Sequence, residues 1–424
     1  MENIENPTPD PERQQKARQY ARLSRRLMLV NLALSGGYSL AWLWFGWAKR
    51  WSMCVQTITP NPWLQVFLYL LGFGSILYLI NLPLSWYESY RLPHRFELST
   101  QTLRGWIVDQ VKGLAVGGVF GVLVLEVIYA VLRVTPQMWW IWATLFLLFF
   151  NVLLAYLAPV LLFPIFNKFK PLGEGYADLV ERLKRLGERA GTHIEGVYEM
   201  DMSRRTKAAN AALTGLGRTR RIILGDTLLR EFSVDEIETV LGHELGHHVH
   251  KDIPLLMSVS AILTVVGMYL TSVIMNWGVT YFGFSDIGDV GTLPLLLLAF
   301  GAFQLVVMPL ANAFSRWRER LADQYAIQVT GKPQAYAAAL TRLADQNLAE
   351  AEPEAWVEWL LYDHPPIGKR IAMARRDIAR RDVARRDVAR RDVARRDVAC
   401  NVSTGDTATD NASTGLRECE KEKP

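Results

Sequence analysis

The stretch Leu241-Gly-His-Glu-Leu-Gly-His-His248 holds the residues of this 424-residue chain best suited to chemistry. On a helix, His243 and His247 are four apart and stand one above the other on a single face, as two imidazole ligands of one metal ion must. Glu244 sits about 100° round the helix, where its carboxylate reaches a reacting water without ligating. A tetrahedral catalytic zinc ion needs a third protein ligand and an open fourth position. His248 and His250 point elsewhere on the same helix, so the third ligand is not a nearby histidine. The remaining option is a carboxylate on a second helix. Ser315-Arg-Trp-Arg-Glu-Arg-Leu-Ala-Asp323 supplies Glu319, with Asp323 four residues on and on the same face. One carboxylate then serves as ligand, and the other accepts the free N–H of a zinc-held imidazole and fixes its tautomer. The alternative is a solvated helix face shared with Arg316 and Arg320.

These residues need elements to position them. Ser233 with Glu236 three residues on is a capping box, and Ile237, Val240, Leu241 and Leu245 follow at helical spacing. A helix is therefore expected from there to about 250, with Pro254 marking the passage into an apolar segment. Upstream, residues 167–252 read as α+β: a helix around 173–190 and strand-like runs at 195–202 and 219–225 flanking the Gly-containing stretch 210–218.

The rest of the chain is dominated by segregation of charge. Residues 27–48, 51–87, 134–167, 253–285 and 290–315 contain no Asp, Glu, Lys or Arg, and 113–132 contains Glu126 alone. A helix crosses a hydrocarbon layer about 30 Å thick in roughly 20 residues, so these stretches are long enough to span. Six spans are expected, near 27–48, 63–86, 113–132, 138–164, 255–278 and 291–314. Simple soluble enzymes, collagen, disordered chains and disulfide scaffolds are excluded. Glu126 is costly in lipid, so it either faces a polar interior or reaches for the interface. Arg13, Lys16, Arg18, Arg22, Arg25 and Arg26 precede the first span, and Arg91, Arg95, Arg104 and Lys112 lie in the second loop, whereas the alternate side carries Lys49, Arg50 and Arg133. The positive-inside rule then puts the N-terminus, residues 165–252 and everything after 315 in the cytoplasm.

The organisation expected is a polar N-terminal tail at 1–26, four spans in 27–166, the H-E-x-x-H half of the site in 167–252 and a transmembrane hairpin at 253–315. The third-ligand helix follows at 316–374, then an A-R-R-D-V repeat at 375–399 and a disordered tail at 400–424. The net charge of +5 belongs to the repeat, whose ten Arg and five Asp account for it, so nothing argues for a nucleic-acid partner. Its period of five turns each Val about 140° from the last, which makes no apolar stripe. A solvated helical extension is expected; the alternative is an arginine-rich face touching anionic lipid heads. Cys54, Cys400 and Cys419 suggest neither a disulfide framework nor a thiolate metal site.

Taken together, HELGH and SRWRERLAD, with NAALTG at 210–215, RIILGDTLL at 221–229, HPPIGKRI at 364–371, STQTLRGWIVDQVKG at 99–113 and PIFNKFKPL at 164–172, resemble the membrane-embedded zinc metalloproteases of the CAAX prenyl protease type I family, over about 60–374. The resemblance implies a mostly α fold: a polytopic helical barrel of about six spans around a large water-filled chamber, with a cytoplasmic-side α+β zincin domain. It implies one Zn2+ per chain on His243, His247 and Glu319, Glu244 as general base, Asp323 as the acceptor behind a ligand, and His364, with Arg370 close by, at the oxyanion. Asn210 and Ala211 would lie on an edge strand that pairs with the substrate backbone. From the residues alone, His364 before two prolines reads equally as a turn residue, and Asn210 as a plain turn.

The chain departs from the family in lacking the further N-terminal span of eukaryotic members and in its repeat. The partners implied are a peptide or protein substrate, prenylated or membrane-anchored, and the lipid bilayer. The membrane would be the plasma membrane in a bacterium or the endoplasmic reticulum in a eukaryote. Rival readings are a quality-control protease like the HtpX family and a catalytically silent membrane scaffold.

Overall fold

The computed structural model describes residues 8–215 and 217–405, and six helices in it are long and apolar enough to cross a membrane. Helix α1 (Pro11–Trp44) starts on Asp10, whose carboxylate accepts the Glu12 and Arg13 amides, with Pro11 in the first turn. From Pro11 on, the polar segment before residue 27 is thus the head of the first helix and not a separate tail. Gly46, at φ 70°, turns the chain into α2 (Trp47–Ile58), a short helix absent from the expected set. Helix α3 (Pro62–Trp86) starts on Asn61 and runs through a π-helical turn at Tyr87–Arg91 into α4 (Leu92–Arg95). Next come α5 (Leu103–Val134) and α6 (Trp139–Leu157), the latter continuing through a second π-helical turn into α7 (Phe163–Phe166).

A small sheet follows. Its strands β1 (Phe169–Pro171), β2 (Gly196–Met200), β3 (Ala211–Thr214) and β4 (Arg221–Gly225) lie in the order β1-β2-β4-β3, with β2 and β4 parallel and both edges antiparallel. Helix α8 (Ala177–Arg189) packs Leu179, Leu183 and Leu186 into the core behind the sheet. Beyond β4 lie α9 (Asp226–Glu231) and α10 (Val234–Val249), which opens on the capping box: Ser233 Oγ accepts the Glu236 amide, and the Glu236 carboxylate accepts the Ser233 amide. Helices α11 (Asp252–Phe282) and α12 (Leu293–Thr330) form the hairpin, and α13 (Pro333–Gln346), α14 (Ala355–Leu361) and α15 (Ile367–Gly405) close the chain.

Helix α12 runs 38 residues, through Pro309, so one continuous helix carries both the last membrane segment and the third-ligand motif. Glu319 is four residues past the end of the charge-free stretch, about 6 Å of helix rise. The site is thereby held close to the membrane surface. Aromatic side chains, among them Trp42, Tyr69, Phe73, Tyr129 and Trp139, fill the core between the spanning helices. Val119, Phe149, Ile262 and Val306 are exposed on the same helices, a pattern that bilayer lipid relieves. A cavity of about 930 Å³ opens between α1, α3, α11 and α12, edged by Ser35, Ser39, Thr264, Gln304 and Asn312 among leucines. Glu126 is half-buried in α5, and its Oε2 is enclosed without a hydrogen-bond partner.

From Ala372 to Gly405 the described residues form a unit of their own, the repeat helix. Val383, Val388 and Val393 are all exposed along it, and Arg381 pairs with Asp377 at 2.6 Å, as expected of a solvated helix. The helix runs on to Gly405, into the segment expected to be disordered, and 406–424 lie outside the described residues.

Candidate metal centre

Helix α10 divides its surface into three stripes. Ile237, Leu241 and Leu245 are buried against the sheet and α8; Gly242 and Gly246 face α12; His243 and His247 face the site. The glycines permit the approach of α12. A Cβ on Gly246 would lie 2.8 Å from Ala322 Cα and 3.0 Å from its carbonyl oxygen, and one on Gly242 would lie 3.3 Å from Ala326 Cα. Backbone thus meets backbone, and Glu319 is brought over the two histidines. Gly246→Val has to push α12 away, and it is expected to weaken metal affinity by about 10–100-fold, as loss of ligand support does. Gly113→Val, where a Cβ meets nothing within 4 Å, serves as control. Metal titration of both proteins checks this; undiminished affinity in Gly246→Val would refute the close-approach argument.

His243 Nε2 and His247 Nε2 lie 3.2 Å apart, and the Glu319 oxygens are 3.2 Å from the first and 3.3 Å from the second. Two donors each about 2.1 Å from a tetrahedral centre stand about 3.4 Å apart, so the three separations fit one small divalent cation. Glu319 Oε2 is also buried with no hydrogen-bond partner, an orphan that a cation satisfies. Among the described residues, these three form the group whose ligand atoms all lie within 4.8 Å of one another.

The far sides of both imidazoles are held. His243 Nδ1 is 2.8 Å from Asp323 Oδ1, and Asp323, 1% exposed, is gripped through both oxygens by Arg370 (Nε to Oδ2 3.0 Å) and by the Tyr336 hydroxyl. His247 Nδ1 is 2.7 Å from Asp252 Oδ2, and Arg318 donates to Asp252 Oδ1 at 2.6 Å and to the His250 carbonyl at 3.0 Å. Burial works to lower the His243 pKa, but the carboxylates of Asp323 and Glu319 outweigh it and raise it to about 9. The same negative field that favours a proton there favours a metal cation. His364 Nε2 lies 3.2 Å from Glu319 Oε1; Asp363 and Glu319 raise its pKa to about 10 against the effect of burial.

A cleft of about 300 Å³ opens in front of this group. Asn210, Ala211, His243, Glu244, His364 and Arg370 all line it, so residues spread over 161 positions of sequence meet at one surface. Glu244 is half-buried on its wall and stands outside the ligand group. Asn210 precedes β3, which is an edge strand. Arg370 has turned inward, with Nε and an Nη on Asp323, so in this geometry it holds Asp323. The solvated-face alternative for Glu319 and Asp323 does not describe them, because both are buried and so is Arg316.

Sequence reasoning missed Asp252, Arg318, Tyr336 and Asn347. For Asp252 a signal existed: an acid five residues after the second histidine, in the first turn of the next helix. The other three are reached only through tertiary contacts.

Comparison with known proteins accords with this geometry. Residues 6–168 match the family described as CAAX prenyl protease N-terminal, five membrane helices, and residues 175–378 match peptidase family M48. Within the first match, four described helices are long and apolar enough to cross a membrane, and α2 is a short one. The chain is 30% identical to the uncharacterized metalloprotease YhfN of Bacillus subtilis over 85% of each chain, and 28% identical to CAAX prenyl protease 1 of Saccharomyces cerevisiae, again over 85% of each. Its fold is similar to the crystal structure of S. mikatae Ste24p, with a TM-score of 0.77 at 25% identity, covering 87% of this chain and 92% of that one. Neither the quality-control reading nor the silent scaffold is favoured by these likenesses. With a two-histidine, one-carboxylate group able to hold a metal ion on a six-span helical frame, and kinship along most of its length, the chain belongs to peptidase family M48 and is a membrane metalloprotease.

Proposed function

We propose that the metal is zinc, one per chain on His243, His247 and Glu319, and that the enzyme cuts extended peptide segments at the cytoplasmic surface of its membrane. The observation that carries this is the shared cleft: the ligand His243, the carboxylate Glu244 and the start of edge strand β3 line one space of about 300 Å³. When bound, zinc supplies Lewis acidity, polarising the scissile carbonyl and lowering the pKa of a water.

The side chains do the rest. Asp323, clamped by Arg370 and Tyr336, keeps the proton of His243 on Nδ1 and its Nε2 lone pair on the metal side; Asp252, clamped by Arg318, does the same for His247. Glu244 takes a proton from the attacking water as its oxygen bonds the carbonyl carbon, and delivers it to the amine nitrogen as the C–N bond breaks. His364 donates to the charge developing on the carbonyl oxygen. Asn210 and Ala211 offer edge backbone with which an extended substrate pairs, holding the scissile bond over the metal. The yeast relative's name makes C-terminal segments of membrane-associated proteins, prenylated or plain, the substrate class to try first. Lys and Arg clustered at the head of α1 and before α5 support a cytoplasmic site.

One experiment tests both parts. A prenylated and a plain C-terminal peptide are added to detergent-solubilised protein, to inverted vesicles and to right-side-out vesicles, with and without a zinc chelator. Chelator-sensitive cleavage is expected in detergent and in inverted vesicles. No cleavage by metal-replete protein in detergent would overturn the activity, and cleavage confined to right-side-out vesicles would overturn the orientation alone.

A further inference from the structure

The outward edge of β3 is bounded on its N-terminal side. The Asn210 carbonyl accepts the Gly225 amide, and 211–214 pair with 224–221. Backbone groups alternate in direction along a strand, so 210, 212 and 214 face β4 while 209, 211 and 213 face outward. At 211 the outward amide donates to the adjacent Asn210 Oδ1 at 2.9 Å, a local side-chain bond that an incoming strand has to replace, whereas at 209 both outward groups are taken by a residue far along the chain. The Ala209 amide donates to Asn347 Oδ1 at 2.8 Å, and Asn347 Nδ2 donates to the Ala209 carbonyl at 3.1 Å, so one carboxamide forms the two-bond pairing that a neighbouring strand residue would form.

Asn347 is itself fixed from several sides. It caps α13, its amide donating to the Leu343 carbonyl at 3.0 Å, and Gln346 Nε2 donates to the Lys207 carbonyl at 2.7 Å. The next residue, Leu348, has φ 47°, a left-handed conformation that a leucine adopts only when its surroundings impose it. Its side chain is buried with Ala17, Leu92, Phe96 and Leu98, and Gln14 of α1 bonds the backbone of Ala349 and Ala351. Asn347 and Ala349 both line the active cleft.

We infer that Asn347 is the end stop of the substrate strand: by occupying the outward pair at 209 it leaves 211 and 213 as the docking edge, and so sets which bond of an extended peptide lies over the metal. This rests on the reading that substrate pairs with β3. Asn347 is a positioning residue in this scheme and touches no reacting atom. A plain structural role would alter rate or folding; an end stop alters the position of cleavage. Removing it frees a pair of backbone groups one β-repeat further along, and the peptide can slide by two residues.

The probes are plain decapeptides of unstructured sequence that the detergent-solubilised full chain cleaves, with products mapped by mass spectrometry, and zinc measured in parallel. Wild type is expected to cut each peptide mainly at one bond. Asn347→Ala should add a second cut displaced by two residues, raising its share of product at least about tenfold, with KM altered more than kcat. Asn347→Asp, which keeps the acceptor but loses the donor, should fall between. An unchanged cleavage pattern in zinc-replete, active Asn347→Ala would overturn the end stop.

A scan of backbone N-methyl groups along the peptide needs only wild type, and so stands even if both variants fail to fold. Two sensitive positions, two residues apart, are expected. A third, two residues beyond in the direction of 209, would overturn the end stop. Sensitivity at no position would overturn pairing with β3, and the proposal with it.

Discussion

Glu244→Gln is expected to leave zinc bound at about one per chain and to lower peptide hydrolysis by at least the roughly 10²–10⁴-fold typical of removing a general base. Glutamine keeps the shape and volume of the side chain but does not accept a proton. Glu244 stands outside the ligand group, half-buried on the cleft wall, so the metal and its supports are left as they were. The variant and wild type are compared for zinc content by elemental analysis and for turnover of the same peptide. Normal turnover in zinc-replete Glu244→Gln protein would sink the mechanism, because among the described residues no other carboxylate lines the cleft. Loss of zinc as well would show that Glu244 helps to hold the metal.

His247→Ala and Glu319→Ala are each expected to remove nearly all the zinc, and peptide hydrolysis with it. Each takes one donor of three, and each also leaves a buried partner behind. With His247 gone, Asp252 and Arg318 keep their pairing, at 2.6 Å, but Asp252 Oδ2 loses its imidazole. With Glu319 gone, two imidazoles face each other at 3.2 Å with no carboxylate between them. Asp252→Asn marks the contrast: it weakens the support of His247 without taking a ligand, and a milder loss of about 10–100-fold in zinc affinity is expected. Equilibrium titration against a chelator of known affinity reads all three. Undiminished zinc in both ligand variants would end the assignment of the site.

The elements that were legible in sequence are those set by short-range pattern. The apolar stretches near the six spans, free of charged residues but for Glu126, could be read because lipid imposes one rule on every residue it touches. The capping box at Ser233 and Glu236 announced α10, since both bonds join residues three apart. The expected strands at 195–202 and 219–225 stand as β2 and β4, the two central strands. The edges β1 and β3 are three and four residues long, with no alternation to reveal them. Helix α2 passed unseen because it carries Lys49 and Arg50 between two spans and reads as a loop.

His243 with His247 and Glu319 with Asp323 were named from one-face placement at four-residue steps, a property of any α-helix, and Glu244 from its place about 100° round from His243. What spacing does not contain is distance between helices. Only the tertiary structure decided that Gly242 and Gly246 admit α12 closely enough for Glu319 to meet the histidines. The division of support is tertiary too: Asp323 serves His243 and Asp252 serves His247, and Arg370 lies 47 residues from the carboxylate it grips. So is the pairing of Asn347 with Ala209, across 138 residues. A hydrogen bond depends on ångström-scale position and direction, and for residues that far apart in the chain both are set by how the helices pack, which local sequence does not encode.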